Sequence, residues 1–190
     1  MIRWFFQVAP KSAETTKTPQ FKQRFDGSKI VDENWNPLKV YHWTPNEFTE
    51  FSRNKIWSTS DHWLYWEWFY FSNSKWTSEW YARWWNVMEL YLDIKNPLYL
   101  SDFKSIQELA DYLEISPSIL SDSWWIIHPA GRLASNTFTS AVWEFWKWHD
   151  WIIIDHWRWN IEYVAFEPNQ IKSATDNIWT FDKNNPDIYK

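Results

Sequence analysis

The chain has 190 residues, enough for one domain with a hydrophobic core that needs no disulfide support. It contains no cysteine, which excludes thiol catalysis, cysteine-ligated zinc and redox motifs. Its formal net charge of −5 argues against the basic face that duplex binding requires, so nucleic acid is not the expected partner.

Residues 1–20, running through "KSAETTKTP", read as a polar tail or linker, with the folded domain over 21–190. The opening "MIRWFFQVAP" has an apolar run too short for a signal-peptide core. No segment approaches the ~20 apolar residues of a membrane span, so a soluble protein is expected, cytoplasmic or delivered into a host cytoplasm. "LKVYH" (38–42) alternates like a strand, "NEFTEF" (46–51) suggests a short helix, "FYFS" (69–72) is a second strand and 77–83 reads as helical. "NVMELYLDI" (86–94), closed by "KNP", gives the strongest strand signal. "SDFKSIQELADYLE" (101–114) carries apolar residues at 103, 106, 109, 110 and 113, which predicts a helix capped by Ser101 or Asp102. Weaker helical patterns cover 117–122 and 134–148, and strands are expected at 151–155 and 161–166. Strands at both ends with helices between them predict an α+β domain rather than alternating βαβ units.

The composition holds 20 Trp against 2 Gly, where glycine ordinarily makes up about 7% of a domain. A buried Trp hides about 150–250 Å² and seeks a partner for its indole N–H, so 20 cannot all find core positions in a domain this small. Their neighbours are turn residues: Trp35 sits in "DENWNP", Trp84 and Trp85 precede Asn86, Trp151 follows "HD", and Trp157 and Trp159 bracket Arg158. Asn, Asp and Pro prepare the chain for a positive φ, which glycine adopts without steric cost. With glycine in these places, "DENGNP" is an Asn-Gly hairpin turn and "HDGIIID" a turn entering a buried strand. A genetic code in which UGA means glycine, read with a table in which it means tryptophan, would produce this pattern, and Gly27 and Gly131 would then be the ordinarily encoded glycines. The alternative is a truly Trp-rich aromatic-binding or membrane-surface protein.

Read with glycine restored, three segments carry chemistry. "VYHWT" (40–44) becomes Y-H-G-T, and "WEWFYFSNSKWTSEWY" (66–81) becomes G-E-G-F-Y-F followed by Ser78 and Tyr81. The third is "IEYVAFEPNQIKSA" (161–174). Together they resemble ADP-ribosyltransferases of the His-Tyr-Glu class, most closely those in the polyvalent proteins of phages and mobile elements, from about Phe21 to Ile188. The ending P-N-Q-I-K-S-A is highly specific, whereas Y-H-G-T alone is weak. A dinucleotide-binding α/β reading does not fit, because "WEW" lies between a turn and a strand and opens no helix.

The resemblance implies a split β-sandwich core with peripheral helices and NAD as substrate. It implies transfer of ADP-ribose to an acceptor, with a protein side chain favoured. His42 matches the histidine that binds and orients a ribose hydroxyl; Trp43 stands where the family has a glycine whose backbone grips the nicotinamide carboxamide, and Thr44 closes that NAD-binding motif. Tyr70 matches the tyrosine lining the nicotinamide pocket, Ser78 the hydroxyl that bonds the carboxamide, Tyr81 the ring that stacks on nicotinamide, and Glu162 the catalytic glutamate. His42, Tyr70, Tyr81 and Glu162 are accordingly expected to converge on one cleft.

The chemistry accounts for these residue types. Breaking the nicotinamide–ribose bond develops an oxocarbenium-like cation that a fixed carboxylate stabilises. Nicotinamide leaves as a neutral ring, so neither a metal nor a second acid is called for. Taken singly, each residue has a plainer reading: His42 as a hydrogen-bonded strand residue, Tyr70 and Tyr81 as core, Glu162 as a solvated charge. The "DH" pairs at 61–62 and 155–156 and the "HD" at 149–150 form no recognised metal-ligand set. Glu67 and Glu79 have no derivable role. Tryptophan at 43, 66 and 68 would crowd the pocket. Two rival functions remain, an inactive binding domain of the same fold and a mobile-element nuclease toxin domain.

Overall fold

The computed structural model describes residues 15–44, 46–52, 69–82, 86–120, 124–127, 133–137, 147–157, 160–178 and 180–190. Among the elements with described bounds, helix α1 (Pro19–Phe25) comes first, with proline in its first turn and the Thr18 side chain accepting a hydrogen bond from the Phe21 N–H as its cap. Next come β1 (Val40–Thr44), β2 (Phe69–Ser72), α2 (Lys75–Ala82), β3 (Asn86–Leu92) and β4 (Pro97–Tyr99). Helices α3 (Ile106–Tyr112) and α4 (Pro117–Leu120) follow, then the separate hairpin of β5 (Trp124–Ile127) and β6 (Leu133–Thr137). The long strands β7 (Trp151–Trp157) and β8 (Asn160–Ala165) and the short β9 (Ile171–Ser173) complete the order. Seven strands make one mixed sheet in the order β4-β7-β8-β2-β1-β3-β9, and the fold is α+β.

The apolar run that opens β7 reflects a sheet covered on both faces. Because side chains alternate along a strand, Ile152 and Ile154 of β7 and Val164 of β8 join Leu98, Leu109, Ala110, Leu113 and Leu120 beneath α3 and α4. Trp151, Ile153, Tyr163 and Ala165 point the other way, into a second core with Val40, Phe69, Phe71, Leu90 and Leu92. Phe21 and Phe25 of α1 form a third, smaller cluster with Tyr91 and Phe181, the two α1 rings stacked with centroids 4.4 Å apart.

Several sequence expectations require correction. Residues 46–51 form no helix; they lie extended or bent, and Glu50 bridges to Asp187. The cap of α3 is Ser105, whose hydroxyl accepts from the Glu108 N–H at 3.2 Å, while Leu100–Asp102 makes a separate 3-10 turn. Within 134–148, residues 134–137 belong to a strand rather than a helix, because β6 finds a partner in β5 that local periodicity could not announce. The rest of that segment up to 146 lies outside the described residues. Two three-residue strands, β4 and β9, are too short to show any period; β4 tolerates Pro97 because it is an edge strand.

Two tryptophans behave very differently. Trp35 is 81% exposed and has φ +62°. Its turn is closed by Asp32, whose N–H donates to the Asn36 carbonyl at 2.8 Å and whose carboxylate accepts from the N–H groups of Asn34 and Asn36. Trp151, expected where a turn enters the strand over 151–155, is the first residue of β7, fully buried and stacked on Phe71, yet its indole N–H has no acceptor among the described residues. Trp84, Trp85 and Trp159 lie outside the described residues, as do Trp63, Trp66 and Trp68.

Candidate active site

The seven-stranded sheet has a weak seam. Strands β1 and β2 are joined by the single pair Tyr41↔Ser72, whereas β1 and β3 share five pairs and β2 and β8 share four. The sheet is thus two ladders, β4-β7-β8-β2 and β1-β3-β9, touching at one point among the described residues.

His42 explains why the ladder stops there. Its Nδ1 lies 2.7 Å from the Tyr70 carbonyl oxygen, so a side chain of β1 takes a backbone acceptor of β2. A carbonyl only accepts, hence Nδ1 carries the proton, and Nε2 of the neutral ring is left as an acceptor. The imidazole packs among Phe51, Phe71 and Phe48, with ring centroids 5.0, 5.4 and 6.3 Å away. Burial in this aromatic setting pushes its pKa down to about 4, outweighing the opposing hydrogen bond to Tyr70.

That shift has a signed consequence. The folded pKa lies below the ordinary value of 6.5, so the unfolded chain binds the proton more readily. The neutral ring's contribution to stability is complete above pH 6.5 and is lost as the pH falls toward 4. Melting temperatures measured through this window should therefore fall more steeply for the parent chain than for His42→Gln, which cannot titrate.

Tyr70 and Glu162 meet on the opposite side of the sheet. Glu162 lies across from Ser72 in the β2/β8 register, and Tyr70, two residues before Ser72, points to the same face. The Tyr70 phenol is held well above its ordinary pKa, first by burial and then by the negative charge of Glu162. It is a neutral hydroxyl within electrostatic reach of that carboxylate. The expected convergence on one cleft is not met for His42, which lies on the face opposite Glu162; only Tyr70 and Glu162 come together among the described residues. Strand alternation sends His42 to the Phe71 side and Glu162 to the Tyr70 side, so the imidazole reaches the seam from the other face.

The remaining candidates sit around these three. Trp43 is half-buried and alternates onto the same face as Tyr41 and Ser72, the face that carries Glu162. Thr44 is buried, with its hydroxyl donating to the Asn46 carbonyl at 3.1 Å and accepting from the Asn46 N–H at 3.2 Å, so it closes β1. Helix α2 packs over β1 and β3, with Lys75 reaching Glu89 at 3.5 Å. Ser78 is buried there, its hydroxyl donating to the Tyr41 carbonyl at 3.3 Å. A carboxamide contact would require that hydroxyl to change partner. Tyr81 is in the last turn of α2, and its side chain lies outside the described residues. Among the described residues, no group of three or more His, Asp or Glu side chains could hold a metal ion, and no helix is long and apolar enough to cross a membrane.

The motif with the highest sequence specificity turns out to serve the scaffold. Asn169 gives its carbonyl to Arg24 of α1, and the Gln170 amide donates to the Asp150 carbonyl at 3.3 Å. Lys172 is fully buried and donates to the Asn185 and Asp187 carbonyls at 2.6 and 2.9 Å, its pKa pushed down to about 8 mainly by burial. Sequence reasoning also passed over Ser72, which pairs with Glu162, and Asn73 and Asn160, which bond to the start of β8 and to Ser72; the polar end of "FYFSNS" signalled the first two and nothing local marked Asn160.

No curated protein and no solved structure matches this chain. The family model "ADP-Ribosyltransferase in polyvalent proteins" matches residues 32–181. That span contains every strand of the seven-stranded sheet, the seam, and His42, Tyr70 and Glu162. The chain belongs to the family of ADP-ribosyltransferases in polyvalent proteins.

Proposed function

We propose that this chain transfers ADP-ribose from NAD to an acceptor, with a protein side chain favoured, and releases nicotinamide. The observation that carries this reading is the Glu162 carboxylate of β8 beside the buried, neutral Tyr70 of β2, the strand that borders the seam. In the reaction the C1′–N bond of the nicotinamide ribose breaks and its electron pair leaves with nicotinamide. The acceptor nucleophile bonds to C1′ and gives its proton to Glu162 or to water. Glu162 stabilises the cationic ribose, Tyr70 walls the nicotinamide site, and Tyr81 of α2 stacks on the ring. His42 accepts a ribose hydroxyl through Nε2, which requires NAD to lie along the seam between β1 and β2. Backbone at position 43 and the hydroxyls of Thr44 and Ser78 complete the NAD contacts, with Ser78 exchanging its Tyr41 partner for the carboxamide.

Incubation with NAD labelled in its adenylate part tests this. Label on protein together with free nicotinamide supports it, whereas RNA cleavage without label favours the nuclease reading. Neither result would leave the inactive binding domain.

We further infer that most of the 20 Trp stand where the natural protein has glycine, with UGA as the codon. Trp35 supports this best: a bulky residue at φ +62° on an exposed turn is in the region glycine occupies freely. Trp151 pulls both ways, since full burial suits an indole and an N–H without an acceptor does not. Codons of UGG at these positions would overturn the inference. Left-handed strain in a non-glycine residue costs on the order of 1–3 kcal/mol. We therefore expect Trp35→Gly to stabilise the chain by about 1 kcal/mol after glycine's entropy is counted, read as a raised urea midpoint with unchanged slope. NAD turnover is to be compared between the chain as written and the chain with glycine at the Trp positions.

A further inference from the structure

Ser72 occupies a junction. It pairs with Tyr41 across the seam on one side and with Glu162 of β8 on the other. Its hydroxyl donates to the Asn160 amide oxygen at 2.8 Å and accepts from the Ser74 N–H at 2.9 Å. The next residue, Asn73, lies just beyond the end of β2 and grips Ile161 twice. Its side-chain oxygen accepts from the Ile161 N–H at 2.9 Å, and its own N–H donates to the Ile161 carbonyl at 3.1 Å.

The two residues immediately before Glu162 are thus held by Ser72, the last residue of β2, and by Asn73, which follows it. This matters because the neighbouring β7/β8 pairing is irregular, with its register shifting between Asp155 and Trp157. Without a second hold, that irregularity would pass directly into the start of β8, where Glu162 sits. The Asn73 amide extends the ladder by one bond after the backbone of β2 has turned away. Both side-chain contacts are neutral hydrogen bonds in a half-buried setting, so they fix geometry rather than supply charge.

We propose that Ser72 and Asn73 are positioning residues for Glu162, latching Asn160 and Ile161 so that the carboxylate is held beside Tyr70. The proposal rests on the reading of Glu162 as the catalytic carboxylate. A displacement of about 1 Å in a reacting group can cost on the order of 10²-fold in rate, so the latch should act on turnover and leave NAD binding nearly unchanged.

The test uses the full chain, in whichever of the two forms above turns NAD over, with nicotinamide release and amide hydrogen exchange both measured. Asn73→Ala and Ser72→Ala should lower kcat between about tenfold and 100-fold with KM for NAD within about twofold of the parent. Asn73→Asp, which retains an acceptor for the Ile161 N–H, and Ser72→Thr, which retains the hydroxyl, should recover most of the loss. In Asn73→Ala the Ile161 amide should exchange at least tenfold faster while Val164, deeper in β8, keeps its protection. Unchanged kcat in a variant whose Ile161 exchange has risen would overturn the positioning role. Unchanged Ile161 exchange would overturn the latch itself. Absence of nicotinamide release from both parent forms would overturn the ADP-ribosylation reading and the catalytic consequence with it, while the exchange measurement would still decide whether the latch holds β8.

Discussion

Glu162→Gln is expected to lower single-turnover nicotinamide release at saturating NAD by about 10²–10³-fold. Glutamine keeps the size of the side chain and a hydrogen-bonding group but removes the charge, so only interactions with the developing ribose cation are lost. NAD affinity should change less than the rate, because in bound NAD the positive charge is on the nicotinamide ring and reaches the ribose only as the bond breaks. The buried Tyr70 phenol provides a second readout: its raised pKa includes a contribution from the Glu162 charge, so the same substitution should bring it down. Tyr81→Ala should show the opposite kinetic split. Losing a stacking ring weakens NAD binding, by about 0.5–1.5 kcal/mol beyond simple burial, with a smaller effect on the chemical step at saturation. Parent-like turnover by Glu162→Gln would remove this residue from catalysis and turn the reading toward an inactive binding domain.

Asp93→Ala is expected to cost about 3–5 kcal/mol of folding stability, among the largest effects of a single substitution in this chain. Asp93, just after β3, pairs with Arg24 of α1, and the two side chains are 10% and 8% exposed. Burial lowers the Arg24 pKa, and the attraction of Asp93 opposes that shift without reversing it. With Asp93 gone, a buried guanidinium would keep, among the described residues, the Asn169 carbonyl, the Phe25 ring 5.8 Å away and the weaker attraction of Asp182. Lys95, which also reaches Asp93 at 2.6 Å, is 44% exposed and can turn to water, so it contributes little to the loss. Replacing both partners together, as Arg24→Met with Asp93→Leu, should cost far less, because no charge remains stranded. Urea unfolding of the single and double variants measures the difference. Equal losses in the two would mean that the pair matters for its shape and not for its charge.

Several features were legible in the chain before any folding. The strand over 69–72 matches its expected bounds, because "FYFS" is a short aromatic run of the kind that favours strands and polar turn residues follow it. The apolar spacing at 103, 106, 109, 110 and 113 foretold which face of α3 enters the core. Glu162 and Tyr70 could be named as candidates from sequence because a carboxylate in "IEYVAF" and a tyrosine in "FYF" resemble a motif, and motifs are local; the structure puts the two on one face of the sheet. The turn at Trp35 was visible for the same reason: Asp, Asn and Pro act on the backbone within a few residues.

What only the tertiary structure decided depends on pairing between distant segments. Three-residue strands such as β4 and β9 carry no period of their own and exist because β7 and β3 lie alongside them. The helix expected at 46–51 gave way to a bridge between Glu50 and Asp187, a contact 137 positions apart that no local propensity can weigh. The specific P-N-Q-I-K-S-A ending reads as chemistry in sequence and serves as scaffold in space, because its polar groups meet Arg24, Asp150 and the C-terminal carbonyls. The faces of the sheet were settled the same way. A single pair, Tyr41↔Ser72, sets the parity of β1 against β2, so it places His42 on the Phe71 side and Glu162 with Tyr70. A shift of one residue in that register would exchange the faces, and register is fixed by the two cores that the sheet separates.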